Sequence, residues 1–319
     1  MSDLSELKEK FGNNILDYSK ISRRVLEGSF ISSGSRNLNI ILTGNSEIGW
    51  VRGRIYELFG PEGSGKTTIG QCGIVDCQKK NGKAMFVDAE KSFNPEYAES
   101  IGINLDKLIV TRPLCGEEGF DMIIEGIKMN MDYILVDSIA ALVPRAEIEN
   151  DMDKQHMGAH GVLMGKGLRK VLSELGPQPV TTIVFLNQIR LKIGVMFGNP
   201  ETRPGGKAMG FFSTGALLEV RDPRSGKVLE GSKETGKLVV AKSIKNKVFS
   251  PFLKCQVPIV YGKGIDKAKD LALALESKGM ATISGKTLTI KGFQKMNSAT
   301  YREKLKDKSF SKKLLGMLK

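Results

Sequence analysis

The chain has little with which to cross-link itself or to hold a soft metal. Its 319 residues contain four cysteines, Cys72, Cys77, Cys115 and Cys255, and none of them forms a CxxC pair. That spacing excludes a zinc ribbon or a disulfide framework and leaves reduced thiols as the expectation. The two histidines, His156 and His160, are four apart and share a face if helical, but no ligand set is completed around them, so zinc is not expected. No apolar run is long enough to span a bilayer. The first residues, 1–8, are charged and lack the apolar core of a secretory signal, so a cytoplasmic protein with no membrane partner is expected. No repeat of solenoid period stands out. Acidic residues are also short in number: 35 Asp and Glu face 48 Lys and Arg, a net charge of +13. An excess of that size favours polyanions, nucleic acid ahead of an anionic membrane. The length allows a large core and about two domains.

What is present centres on one stretch. Residues 58–68 contain Gly60, Pro61, Glu62, Gly63, Ser64, Gly65, Lys66, Thr67 and Thr68, a Gly-x4-Gly-Lys-Thr pattern. An apolar run, 55–59, precedes it and a helix-compatible segment, 67–79, follows. That context is what a phosphate-binding loop requires. Glycines let backbone N–H groups turn onto phosphate oxygens, and the helix presents its positive end to the same anion. Lys66 is then the residue that reaches the β- and γ-phosphates, and Thr67 a ligand for Mg²⁺.

The rest of the chain alternates apolar strands with helical segments. Residues 84–87 read as a buried strand ending in Asp88, Ala89 and Glu90; 108–110 form another; 133–136 end at Asp137 and Ser138; 181–186 end at Asn187 and Gln188. A helix is expected over 117–131 and another over 157–175, the latter carrying Arg169 and Lys170 behind a polar interruption at 149–155. Residues 30–50, rich in Ser, Gly and Asn, read as a connector with short extended pieces. From 211 to 260 the pattern turns to β, with a solvated hairpin across 222–236 followed by Lys242, Lys245 and Lys247. Beyond Gly264 the chain is Lys-rich, with helical runs at 267–277 and 299–306 and a β-prone piece at 286–290. At the start, Leu4, Leu7 and Phe11 have helical spacing, which suits a helix on its own domain or an arm docked on a neighbouring subunit. The expected class is α/β, with a mostly parallel central sheet covered on both faces. The expected division is an N-terminal helix or oligomerisation arm at 1–30, a nucleotide-binding core at 31–262 and a small basic α+β domain at 263–319.

In such sheets the ligand sits beyond the carboxyl ends of the strands. Lys66, Thr67, Glu90, Asp137 and Gln188 should therefore converge. Asp137 is placed to help hold Mg²⁺, often through water, or else to cap a helix. Glu90 is the best candidate to orient or deprotonate an attacking water, with a surface ion pair as the bland alternative and Asp88 as a lesser candidate. Gln188 is no base, but its amide can contact a γ-phosphate. Directly after it, residues 189–207 alternate basic and apolar side chains and then become rich in Gly and Pro. As a loop this run offers Arg190, Lys192 and Lys207 to phosphates and aliphatic groups such as Ile193 to separated bases.

Four ordered stretches, 60–68, 86–90, 136–149 and 187–202, together resemble the RecA family of ATP-dependent DNA strand-exchange recombinases. The resemblance covers roughly 30–262, and the ends more weakly. It implies a RecA-type core, ATP with Mg²⁺ bound between subunits, and a helical filament on single-stranded DNA that pairs with double-stranded DNA. By the same resemblance Glu90 matches the catalytic glutamate and Gln188 the γ-phosphate sensor. Tyr97 matches the aromatic that stacks on adenine, and Phe211 an interface residue that relays the ATP state. Lys245 and Lys247 match lysines donated to the neighbour's γ-phosphate. Residues 149–157 and 189–206 match the two DNA loops, with Met157, Gly158, Arg169, Lys192, Ile193, Gly205 and Gly206 at DNA-contact positions. Loader, mediator and single-strand-binding proteins are the accessory partners it implies. This sequence departs from the pattern in places. Asn94 stands where an aspartate is usual near adenine, Val162 and Gly165 replace basic and hydroxyl residues, and Lys91, Arg203 and Lys207 add charge. The chain closes on a basic segment, 311–319, rather than an acidic tail, and its short ends resemble a streamlined or phage-encoded member. Two rival readings of the same core are a hexameric helicase and a non-catalytic, ATP-gated DNA-binding assembly protein.

Overall fold

Polar residues at 30–50 build structure rather than a connector, which corrects the sequence reading. The computed structural model describes residues 9–10, 12, 30–150, 158–177, 179–191, 198, 200–223, 227–230 and 233–318. The expected N-terminal arm and the first DNA loop, with Met157, fall largely outside them. Strands β1 (Phe30–Ile31) and β2 (Trp50–Val51) pair antiparallel on either side of helix α1 (Arg36–Thr43). The Ser35 side chain caps that helix on Leu38 N, and Gly44 ends it in the left-handed region at φ 79°. Buried Asn39 accepts from Ser33 N at 3.0 Å and donates to Ser46 O at 2.9 Å. The Ser/Asn content that reads as loop is thus internally satisfied.

Next come β3 (Ile55–Gly60), α2 (Lys66–Lys79), β4 (Ala84–Asp88), α3 (Pro95–Ser100), β5 (Leu108–Thr111), α4 (Gly116–Lys128) and β6 (Tyr133–Asp137). They are followed by α5 (Arg145–Glu149), α6 (Ala159–Leu175), β7 (Thr182–Gln188), β8 (Arg190–Leu191), β9 (Glu201–Thr202) and α7 (Ala208–Phe212). The β-rich stretch is β10 (Ala216–Arg221), β11 (Lys227–Glu230), β12 (Lys233–Asn246), β13 (Lys254–Val260) and β14 (Gly264–Ile265). The C-terminal part is α8 (Lys267–Ser277), β15 (Ala281–Ser284), β16 (Thr287–Ile290), β17 (Met296–Asn297), α9 (Ser298–Lys304) and α10 (Lys308–Gly316).

The central sheet runs β5-β4-β6-β7-β3-β10-β12-β13-β14, with β11 folded onto β12. Every pairing from β5 to β10 is parallel; β10–β12, β12–β13 and β13–β14 are antiparallel. Alternation along each strand separates two cores. Leu58, Phe86 and Leu135 pack with Ile69 and Ile74 of α2 on one face. Ile55, Val87 and Ile134 pack with Phe120 of α4 and Met164 of α6 on the other. Strands buried on both faces carry no polar face of their own, which is why they read as continuous apolar runs; β5, expected to be buried as well, is instead the edge strand, with Ile109 and Val110 exposed.

A third cluster gathers Leu271, Leu288, Ile290, Tyr301, Phe310 and Leu314, with Ile40 of α1 against it. Helix α10 is not foreseen from the lysine-rich sequence; its buried residues, Phe310 and Leu314, are four apart and followed by Leu318, a single apolar stripe. Asp270 of α8 accepts from the Ser35 hydroxyl and, at 2.6 Å, from Arg36 N, so one buried carboxylate caps α1 and joins it to the C-terminal segment. Among the described residues, no helix is long and apolar enough to cross a membrane.

Candidate active site

Register brings the strand ends level. Gly60 of β3 pairs with Gln188 of β7, and Asp88 of β4 pairs with Asp137 of β6. The loop that leaves β3 is shaped by its glycines. A Cβ on Gly60 would lie 1.9 Å from the Val220 carbonyl oxygen, so β10 can approach only a glycine there. Gly65, at φ 89°, precedes α2 with no side chain capping the helix, which leaves its first N–H groups to an anion. A cleft of about 400 Å³ opens over this loop and is lined by residues 63–68 together with Tyr97, Lys237, Ile259, Tyr261 and Gly262.

Inside the cleft the Lys66 ammonium rests on the loop's own carbonyls, donating to Pro61 O at 2.7 Å and to Gly60 O at 3.1 Å. Burial lowers its pKa, opposed by the nearby Asp137 and Glu90 carboxylates. The Thr67 hydroxyl donates to Asp137 Oδ2 at 2.8 Å. Burial pushes Asp137 up to about 6, with the Thr67 hydrogen bond lowering it and the Glu90 charge raising it further. Two hard oxygen donors side by side, one a desolvated carboxylate without a fully compensating cation, fit Mg²⁺.

Glu90 is joined to the same cluster. Its Oε1 accepts from the Ser138 hydroxyl and from Gln188 Nε2 at 3.0 Å, and its N–H donates to Asp137 O at 3.1 Å. The candidate base and the candidate sensor are therefore in direct contact. Asp88 is excluded as a base by its partners: buried, it accepts from Ser92 N, Phe93 N and Arg112 Nε. On the outer side of the cleft Tyr97 OH lies 2.7 Å from Thr68 Oγ1. Asn94 spends its side-chain oxygen on capping α3, accepting from Tyr97 N at 2.9 Å.

Sequence reasoning missed the far wall. Lys237 of β12 donates to the Gly63 carbonyl and lies 3.3 Å from Asp222 Oδ2. Tyr261 donates to Glu234 Oε1 at 2.7 Å. A lysine at an inward position of β12, beside Leu238 and Val239, is the signal that could have found Lys237; nothing local points to the wall itself, because Lys237 lies 174 residues along the chain from Gly63.

Other residues singled out in the sequence lie away from the cleft. Lys247 N donates to Gly215 O, and Gly215 N donates to Ile55 O, which sets Lys247 level with the start of β3. Five residues of strand separate that level from Gly60, roughly 16 Å at about 3.3 Å per residue. Lys245 pairs with Leu217 and donates to Gly210 O of α7. Lys247 therefore lies far from this chain's own loop, and the Lys245 ammonium is engaged by the Gly210 and Ser213 carbonyls. Phe211, on the same helix, is 71% exposed. Arg190 and Leu191 are exposed on β8, which pairs with β9 at Thr202 and Glu201. Gly205 packs against Met164 of α6, and Gly206 and Lys207 face outward. Gly158 caps α6 at φ 85°, and Arg169 is exposed one face along it. Lys192 and Ile193 lie outside the described residues. His160 Nε2 is 3.0 Å from Ile139 O, a main-chain partner rather than a metal-binding one. Arg203, one of the added charges, is paired with Glu57.

Comparison with known proteins gives the same direction. A family model described as the RecA N-terminal domain matches residues 1–266. "Protein RecA" of Mesomycoplasma hyopneumoniae (strain 7448) is 41% identical over 290 residues, covering 91% of this chain and 84% of that protein. "Protein RecA" of Bacillus thuringiensis (strain Al Hakam) is 41% identical over 270 residues, 84% of this chain and 76% of that protein. "Protein RecA" of Limosilactobacillus reuteri (strain DSM 20016) is 45% identical over 224 residues, 70% of this chain and 61% of that protein.

Proposed function

Because the chain belongs to the RecA family, we propose that it is a DNA-dependent ATPase that forms helical filaments on single-stranded DNA and carries out homologous pairing and strand exchange. One observation supports the reading above others: from four strand ends, Thr67, Asp137, Glu90 and Gln188 meet in one hydrogen-bonded cluster, with the Lys66 ammonium near its Asp137 and Glu90 carboxylates, beside an open cleft.

Each residue then has a task. The triphosphate replaces the loop carbonyls as partner of the Lys66 ammonium, with the backbone N–H groups of α2's first turn on the same oxygens. Thr67 and Asp137 are the residues that would hold a Mg²⁺ ion, which would supply neutralisation of phosphate charge. Glu90 orients the attacking water and accepts its proton. The Gln188 amide now bound to Glu90 turns to the γ-phosphate when ATP is present, which frees the Glu90 carboxylate for water. Tyr97 stacks on the adenine. Lys245 and Lys247, both away from this chain's own cleft, act on the nucleotide of a neighbouring subunit, and exposed Phe211 lies at that contact.

DNA is held by Gly158, Arg169, Arg190, Gly205, Gly206 and Lys207, with Met157, Lys192 and Ile193 on the same loops. Phosphate contacts of this kind make binding strongly salt-dependent. The cytoplasm is the compartment, and loader, mediator and single-strand-binding proteins are the accessory partners. ATP hydrolysis measured with and without single-stranded DNA, on samples also imaged by negative stain, tests the proposal. Strong stimulation with open filaments is expected. Stimulation with closed rings would move the assignment to a helicase, and ATP-dependent DNA coating without turnover to an assembly protein.

A further inference from the structure

Beneath the loop that leaves Gln188 lies a carboxylate that the nucleotide chemistry does not use. Glu57 is fully buried in β3, three residues before Gly60. Burial pushes its pKa up, and the Arg203 guanidinium and the Asn187 amide pull it down. Its two oxygens hold the two ends of one excursion of the chain. Asn187 Nδ2 donates to Oε1 at 2.8 Å, and Arg203 Nη1 donates to Oε2 at 2.6 Å. The Asn187 amide also donates to Pro204 O at 3.1 Å, and the Arg203 guanidinium lies 4.2 Å from the centre of the Phe59 ring. The chain therefore leaves the sheet after Gln188 and returns at Arg203 over a single carboxylate.

The contacts continue to the catalytic cluster. Gln188 N donates to Asn187 Oδ1 at 2.9 Å, and Gln188 Nε2 donates to Glu90 Oε1 at 3.0 Å. A continuous polar chain runs from Glu90 through Gln188, Asn187 and Glu57 to Arg203. Breaking a buried ion pair by moving one partner is costly, so the returning stem is held to one arrangement relative to β3.

We propose that the Glu57–Arg203 pair is a positioning element that couples nucleotide state to DNA affinity, by fixing the returning stem of the 189–206 loop to the strand that enters the phosphate-binding loop. When Gln188 turns toward a γ-phosphate, Asn187 shifts on Glu57 while Arg203 keeps the second stem fixed on β3, so the two stems change place relative to each other. Without the pair the second stem yields and the shift is not passed to the loop. The inference rests on the reading of Gln188 and of this loop given above.

The test is a thermodynamic cycle rather than a single affinity. Binding of a fluorescent oligo-dT strand is measured by anisotropy at fixed salt, once with MgADP and once with a non-hydrolysable MgATP analogue. The wild-type ratio of the two affinities is compared with that of Arg203→Met, Glu57→Gln and Arg203→Lys. The ratio is expected to fall by roughly tenfold in the first two, within the usual range of coupling between sites. Arg203→Lys should restore part of it, keeping the charge and losing the fork. Loss of one loop cation weakens DNA binding equally in both nucleotide states and cancels in the ratio, so the readout separates coupling from charge. Glu57→Gln should leave binding of a fluorescent ATP analogue without DNA within about twofold. If Glu57→Gln fails to fold, Arg203→Met still decides, since the Arg203 side chain is partly exposed. A wild-type ratio well above one that Arg203→Met leaves intact overturns the inference alone. A wild-type ratio near one overturns the underlying reading and the inference with it.

Discussion

Replacing Asp137 by Asn should stabilise the nucleotide-free protein and weaken its response to nucleotide. The carboxylate is 5% exposed, and burial raises its pKa from 3.8 to about 6. A group whose folded-state pKa is raised contributes stability that is complete below the unfolded value and is lost as pH rises through the folded value. Asp137 therefore costs the apo protein stability above about pH 6, by about 3 kcal/mol at pH 7.5 for a shift of this size. Asn removes the charge and still offers Thr67 an acceptor. Urea unfolding at fixed protein concentration, from pH 4.5 to 8, should show Asp137→Asn more stable by about 1–3 kcal/mol at pH 7.5, with the gain shrinking below pH 6. Saturating MgADP should reverse the order, because ligand that binds only the folded state stabilises the wild type and acts weakly on a variant lacking a cation ligand. An apo variant less stable than wild type at pH 7.5, with no pH dependence in the difference, would refute the claim that desolvation governs this site.

Further expectations concern the other groups. Lys66→Ala should lower ATP turnover by at least about 100-fold, as loss of a charge-stabilising donor does; normal turnover would remove the phosphate-loop assignment. Glu90→Gln should keep nucleotide and DNA binding while turnover falls by about 10² to 10⁴, the range of a general base, and loss of nucleotide binding in a folded variant would make Glu90 structural. The double variant Arg190→Ala, Lys192→Ala should reduce the slope of log affinity against log salt by about 1.4 on single-stranded DNA; an unchanged slope counts against the loop as a phosphate contact. Lys237→Met should weaken MgATP binding by about tenfold if the lysine leaves the Gly63 carbonyl for the nucleotide, the scale of a charge-assisted hydrogen bond, and equal binding would leave Lys237 as a brace of the loop.

Local chemistry carried much of this protein in its sequence. The phosphate loop is contiguous, Gly60 marks a position that no Cβ can occupy, and each parallel strand is an apolar run closed by the polar residue it presents. Because strand ends converge in any parallel sheet, Glu90, Asp137 and Gln188 could be grouped with Lys66 before their contacts were seen. What the sequence could not state is which distant surfaces meet. Helix α1 reads as a connector because its polar residues find their partners only in the interior, Ser35 on Asp270 and Asn39 on Ser33 and Ser46, an outcome of burial and not of propensity. Arg203 reads only as an added charge until β3 places Glu57 beneath it. Lys237 reaches the cleft, and Lys245 and Lys247 lie away from it, only because β12 runs antiparallel to β10 in one register. Period and composition are properties of neighbouring residues, whereas register and long-range pairing are set by the packing of the whole chain, and there the tertiary structure alone decided.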